Sequence, residues 1–138
     1  MTDTTLTPSI ALAATHSTPK VHFDFAACRL MIKGEAYPEN AAAFFRPLLE
    51  AVDTWLKARD AAPHSVEIHV ALSYFNSSST KLLFELFDCL NRFAQAGKPC
   101  HLYWYYDAED DISEEFGQEL SLDFPALNVT PIADLSAC

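Results

Sequence analysis

The chain has 138 residues, half of them hydrophobic and a fifth charged, which is enough apolar sequence for one packed core and argues against disorder or a fibrous repeat. Nine Lys and Arg oppose nineteen Asp and Glu, and the net charge of -10 repels a nucleic-acid backbone or an anionic membrane surface, so neither is an expected partner. Three scattered glycines, Gly34, Gly97 and Gly117, exclude a Walker loop or a dinucleotide fingerprint, and four cysteines without C-x-x-C spacing fit a reduced, cytoplasmic chain.

Residues 1–19 are rich in Thr, Ser and Ala without a sustained period, and read as a flexible arm ahead of a single domain over 20–138. The first basic residue is Lys20, and the apolar run Ile10 to Ala14 is too short for a signal segment or a membrane span. Val21, Phe23 and Phe25 alternate with His22 and Asp24, and Leu30 and Ile32 with Arg29, Met31 and Lys33; the short Ala26-Ala27 link makes the two runs a hairpin. Tyr37-Pro38-Glu39-Asn40 then carries helix-start chemistry, with Asn40 as cap. Phe44, Phe45, Leu48, Leu49, Val52, Trp55 and Leu56 recur at helical spacing to about Arg59, and Pro47 is expected to kink or divide that helix.

After Ala62-Pro63, Val66, Ile68, Val70 and Leu72 alternate with Ser65, Glu67, His69 and Ala71, the period of a strand that runs into Tyr74-Phe75. Asn76-Ser77-Ser78-Ser79-Thr80 supplies capping side chains, and Leu82, Leu83, Leu86, Phe87, Leu90 and Phe93 repeat at helical spacing up to a stop at Gly97. Cys100 to Tyr106 is an aromatic strand, Glu109 to Leu120 an acidic helix, and Asn128 to Ile132 a last short strand. Strands alternating with helices predict a small α/β domain whose mixed, mostly parallel sheet carries an N-terminal β-hairpin and helices packed on it.

Parallel strands open their carboxyl ends on one sheet edge, where ligands and partners of open α/β folds sit. Three polar turns should meet there: Tyr37 to Asn40, Asn76 to Ser79, and Tyr105 to Asp111. A helix amino terminus presents unpaired N–H groups and a positive dipole end, so a phosphate on a hydroxyl of Ser77 to Thr80 would meet favourable electrostatics. By residue type alone, capping explains the same serines.

Tyr37-Pro38-Glu39-Asn40 with the helix through Trp55, and Tyr74-Phe75-Asn76-Ser77-Ser78-Ser79-Thr80-Lys81, resemble the SiaC-type regulatory phosphoproteins, bacterial proteins of STAS-like fold related in shape to anti-sigma-factor antagonists. The aromatic run ending in Tyr105-Tyr106-Asp107 also fits, so the resemblance spans roughly Val21 to Leu120. It implies a single STAS-like domain without cofactor or metal, acting in signalling and biofilm regulation and not as an enzyme. The residue after the Asn of the strand-to-helix turn is then the phosphoacceptor. That is Ser77 here, where the family often has Thr, with Ser78 as second choice. The implied partners are a serine/threonine kinase, a PP2C-type phosphatase and an output protein such as a diguanylate cyclase. The implied partner surface is Tyr37, Pro38, Glu39, Asn40, Asn76, Ser77, Lys81 and Asp107.

The rival reading is a small enzyme using carboxylates at the same edge as acid and base, with or without a metal. Asp107 to Glu115 lacks Asp-x-Asp-x-Asp-Gly spacing and reads as a solvated helix start. His69 near the serines lacks a G-x-S-x-G elbow, and the pairs His22 with His64 and His69 with His101 lack zinc-ligand spacing. Tyr103 to Tyr106 is read as core and surface packing, since alternation on a strand turns half of such a run inward.

Overall fold

The computed structural model describes residues 9–58 and 65–138. The alternating runs pair as β1 (Ile10–Leu12), β2 (Lys20–Asp24), β3 (Arg29–Ala36), β4 (Val66–Phe75), β5 (Cys100–Tyr105) and β6 (Asn128–Ile132), in that order across one sheet. The first two pairings are antiparallel and the last three parallel. The three crossovers are α1 (Ala41–Ala58), α2 (Ser77–Gln95) and α3 (Asp111–Asp123), and a 3-10 turn, Leu135–Ala137, follows β6. This is the mixed, mostly parallel α/β sheet expected.

Each crossover moves one strand along in the same direction, and right-handed connections of that kind put their helices on one face. Side-chain contacts agree. Arg46 of α1 and Glu85 of α2 form a two-bond ion pair, while Phe84 and Phe87 of α2 meet Phe116 and Phe124 at the α3 side. Phe23, Leu30, Ile32, Ile68, Leu102 and Trp104 fill the sheet's contribution to the core, and Phe45, Val52, Leu83, Leu86, Phe87 and Leu90 fill the helical one. Burying side chains of this size contributes roughly 2 kcal/mol each, so the helix-covered face carries most of the stability. Among the described residues the other face carries no α-helix, and the 3-10 turn packs there against β4 and β5, with Lys33 Nζ donating to the Cys138 carbonyl at 2.9 Å.

One expectation is corrected, and one of two alternatives is removed from another. The arm over 1–19 is ordered in its second half: Ile10 to Leu12 pair with Val21 to Phe23, Pro19 is buried, and the Ser17 carbonyl accepts the Tyr37 amide at 2.8 Å. Three residues are too few for alternation to show in sequence, which is why the strand escaped notice. Of the kink and the division expected at Pro47, the division does not occur: α1 runs unbroken from Ala41 to Ala58. Pro47 and Ala43 are exposed, so the carbonyl deprived of its partner faces solvent, where its loss is cheapest. Residues 1–8, the helix end near Arg59, Ala62-Pro63 and His64 lie outside the described residues.

Candidate functional site at the amino terminus of α2

The carboxyl ends of β3, β4 and β5 open on one edge, and each leads into a capped helix. Asn40 Oδ1 accepts the Ala43 amide at 3.0 Å, Asn76 Oδ1 the Ser79 amide at 2.9 Å, and Asp110 Oδ1 the Ser113 amide at 3.0 Å. The same device repeats because a crossover helix must satisfy its first amides as the chain leaves the sheet. Backbone bonds lace the turns together: the Asn76 amide donates to the Ala36 carbonyl at 3.0 Å, and the Tyr37 amide to Ser17.

Ser77 is the first residue of α2, and its side chain is exposed, as is that of Ser78. The other two hydroxyls of the turn are committed elsewhere. Ser79 is wholly buried, and the Thr80 hydroxyl donates to the Asn76 carbonyl at 3.1 Å. Exposed Lys81 stands one helical turn beyond Ser77, on the same side of α2. Tyr37, Glu39 and Asn40 are exposed beside the end of β3, and Pro38 is half-buried. Asp107 is exposed and lines an open cleft of about 460 Å³ with Ser73, Leu72, Glu109, Asp110 and Leu135, which brings the acidic turn against the end of β4. The three polar turns therefore share one end of the sheet, as parallel strands require.

One residue at this end escaped the sequence. Strict alternation from Val66 would send Tyr74 into the core. Instead Leu72 pairs with Gly34 and Tyr74 with Glu35, leaving Ser73 as an extra residue in β4, a β-bulge. The Ser73 hydroxyl donates to the Gly34 carbonyl at 3.3 Å, and Gly34 has φ +130°, a backbone conformation that suits glycine. Beyond the bulge the faces exchange. Phe75 turns inward onto Trp104 and Phe116, and Tyr74 turns outward, with its ring 5.6 Å from that of Tyr37. No local signal in the sequence marks this slip, because it lies in the register of two strands distant in the chain.

The acidic residues are engaged in local structure: Asp107 Oδ1 accepts the Glu109 amide at 2.9 Å, and Asp110 caps α3. Among the described residues no three of His, Cys, Asp and Glu converge as a metal ligand set. His69 lies on the helix-free face, away from the serines' helix. Its Nδ1 is 2.7 Å from the Tyr105 hydroxyl, its Nε2 2.9 Å from Glu67 Oε1, and its ring stacks on Tyr103 at 4.6 Å. Burial, with Cys138 next in weight, pushes the Tyr105 phenol up from its ordinary value. Tyr106 is likewise raised, by burial and by Glu114, toward which its hydroxyl points at 3.5 Å. No helix among the described residues is long and apolar enough to cross a membrane.

A mixed sheet with its three crossover helices on one face, three helix caps gathered at one end and two exposed serine hydroxyls among them is a small single-domain α/β architecture. Residues 12–133 match the family model of the SiaC family regulatory phosphoproteins. An uncharacterised protein of Pseudomonas aeruginosa strain UCBPP-PA14 is 33% identical over 117 residues, 82% of this chain and 90% of the relative. The crystal structure of apo-SiaC from Pseudomonas aeruginosa superimposes with a TM-score of 0.77 at 28% identity, covering 91% of this chain and 97% of that one. SiaC from the same bacterium, in complex with the diguanylate cyclase SiaD that it activates, gives a TM-score of 0.77 at 28% identity over 89% of this chain and 96% of that one. The chain belongs to the SiaC family of regulatory phosphoproteins.

Proposed function

We propose that this chain is a non-enzymatic, cytoplasmic signalling protein that binds and regulates a diguanylate cyclase, and that phosphorylation of Ser77 turns the binding off. A serine/threonine kinase and a PP2C-type phosphatase set the phosphorylation state. The observation that carries the reading is the position of Ser77, exposed at the first residue of α2 beside two other turns of the same edge. The complex of SiaC with the cyclase it activates supports the choice of output partner. Phosphate on Ser77 meets the helix dipole and the Lys81 ammonium, so the fold tolerates it, whereas a partner packed over the turn would have to bury it. Burying an uncompensated charge costs several kcal/mol, roughly a hundredfold or more in affinity.

The test is kinase treatment followed by mass spectrometry and a cyclase-binding titration. Expected are one phosphate on Ser77, none on Ser77→Ala, and at least about a hundredfold weaker binding by the modified protein. Phosphate on Ser78 with Ser77 unmodified would move the acceptor one residue, and equal affinity of both forms would sink the switch.

A further inference from the structure

Tyr74 is 53% exposed and Tyr37 37%, and their rings touch edge to face. Large aromatic side chains held rigidly at a surface are what protein interfaces use as anchors, because they bury much area while surrendering little rotamer entropy. The backbone that carries these two is tied down, the bulge at Ser73 to Gly34, the Tyr37 amide to Ser17 and the Asn76 amide to Ala36, and each ring packs on the other. Ile112, 82% exposed in the first turn of α3, adds apolar surface at the same end of the sheet. Exposed carboxylates of Glu35, Glu39, Asp107, Glu109 and Asp111 stand at this end of the sheet and outnumber its ammonium groups, those of Lys81 on α2 and of Lys20 and Lys33, which pair across β2 and β3.

We infer that the Tyr37–Tyr74 ring pair is the hydrophobic anchor of the interface with the output cyclase, and that the cyclase meets it with an apolar side-chain cluster bordered by Lys and Arg. The inference rests on the function proposed above and adds to it the residues that hold the partner and the chemistry the partner presents. The acidic border dictates the basic one, since like charges juxtaposed across an interface repel. Ser77 lies three residues beyond Tyr74 in the chain, at the same end of the sheet, so a phosphate there puts a hydrated group at the margin of the anchor, and a partner closing over it would have to desolvate that charge.

The experiment titrates the purified cyclase of the same organism with unmodified wild type, Tyr74→Ala, Tyr74→Phe and Leu122→Ala, at about 50 mM and about 500 mM salt. Leu122 is 79% exposed near the other end of α3 and serves as the control. Expected are about thirtyfold weaker binding for Tyr74→Ala with an unchanged melting temperature, and affinities within about threefold of wild type for Tyr74→Phe and Leu122→Ala. Wild-type binding should weaken at the higher salt. Wild-type affinity retained by Tyr74→Ala overturns the anchor while leaving the proposed function standing. Binding that strengthens with salt overturns the basic border. A wild-type protein that does not bind the cyclase overturns the function and the anchor together.

Discussion

Ser77, Ser78 and Ser79 are chemically identical and physically unlike. The first two hydroxyls are in water, whereas Ser79 Oγ is fully enclosed without a hydrogen-bond partner, an arrangement that costs about 1 kcal/mol or more of lost hydration. Ser79→Ala should therefore leave the melting temperature unchanged or raise it, and the purified variant should accept phosphate to the same stoichiometry as wild type. A drop of several degrees on melting would mean that the hydroxyl has a partner after all. Cysteine chemistry is muted at the same scale, because burial, reinforced by Asp53, pushes the Cys89 thiol up and keeps it protonated at neutral pH.

At the scale of elements, the amino terminus of α2 depends on Asn76. Its side chain accepts the Ser79 amide, its carbonyl accepts both the Thr80 amide and the Thr80 hydroxyl, and its own amide reaches back to β3. Asn76→Ala removes only the first of these and should cost about 1 kcal/mol, read as a lower urea midpoint at unchanged slope. Phosphorylated protein should move in the opposite direction or hardly at all, since the added charge lies at the positive end of the helix dipole. If modification instead lowered the midpoint by as much as Asn76→Ala does, the switch would work by melting the helix and not by blocking a partner.

Across the whole molecule, the helix-free face carries the network Glu67–His69–Tyr105, covered by the C-terminal turn. The Tyr105 phenol, ordinarily titrating at 10.0, and the Cys89 and Cys138 thiols, ordinarily at 9.0, are all raised in the folded protein. Each is held protonated by the fold at a pH where the unfolded chain has begun to lose the proton. Their contribution is thus complete below about pH 9 and is lost as pH rises through the folded values. Urea midpoints at about pH 8 and about pH 10.5 should differ, the alkaline one being lower. Tyr105→Phe should narrow that difference while lowering the midpoint at about pH 8, because His69 Nδ1 loses its partner. A gap of unchanged width in the variant would remove Tyr105 from the account.

The sequence by itself determined the α/β class, the hairpin, the three crossover helices and the shared edge. Each of these rests on a period of two or 3.6 within one segment, on a cap adjacent to its helix, or on the handedness of a crossover, all of which are local or topological. It also marked the serine turn as a helix start, because the capping Asn76 and its serines are adjacent in the chain, whereas the choice of Ser77 within that turn came from the resemblance to the SiaC-type phosphoproteins. Tertiary structure alone decided the rest. The pairing of Ile10–Leu12 with β2 needs a partner strand to become visible. The close approach of α3 to Trp104, whose Cδ1 would lie 2.6 Å from any Cβ added at Gly117, depends on two elements meeting. The exposure of Tyr74 follows from a one-residue slip between β3 and β4, and register is settled by contacts between segments some forty residues apart, which no window along the chain contains.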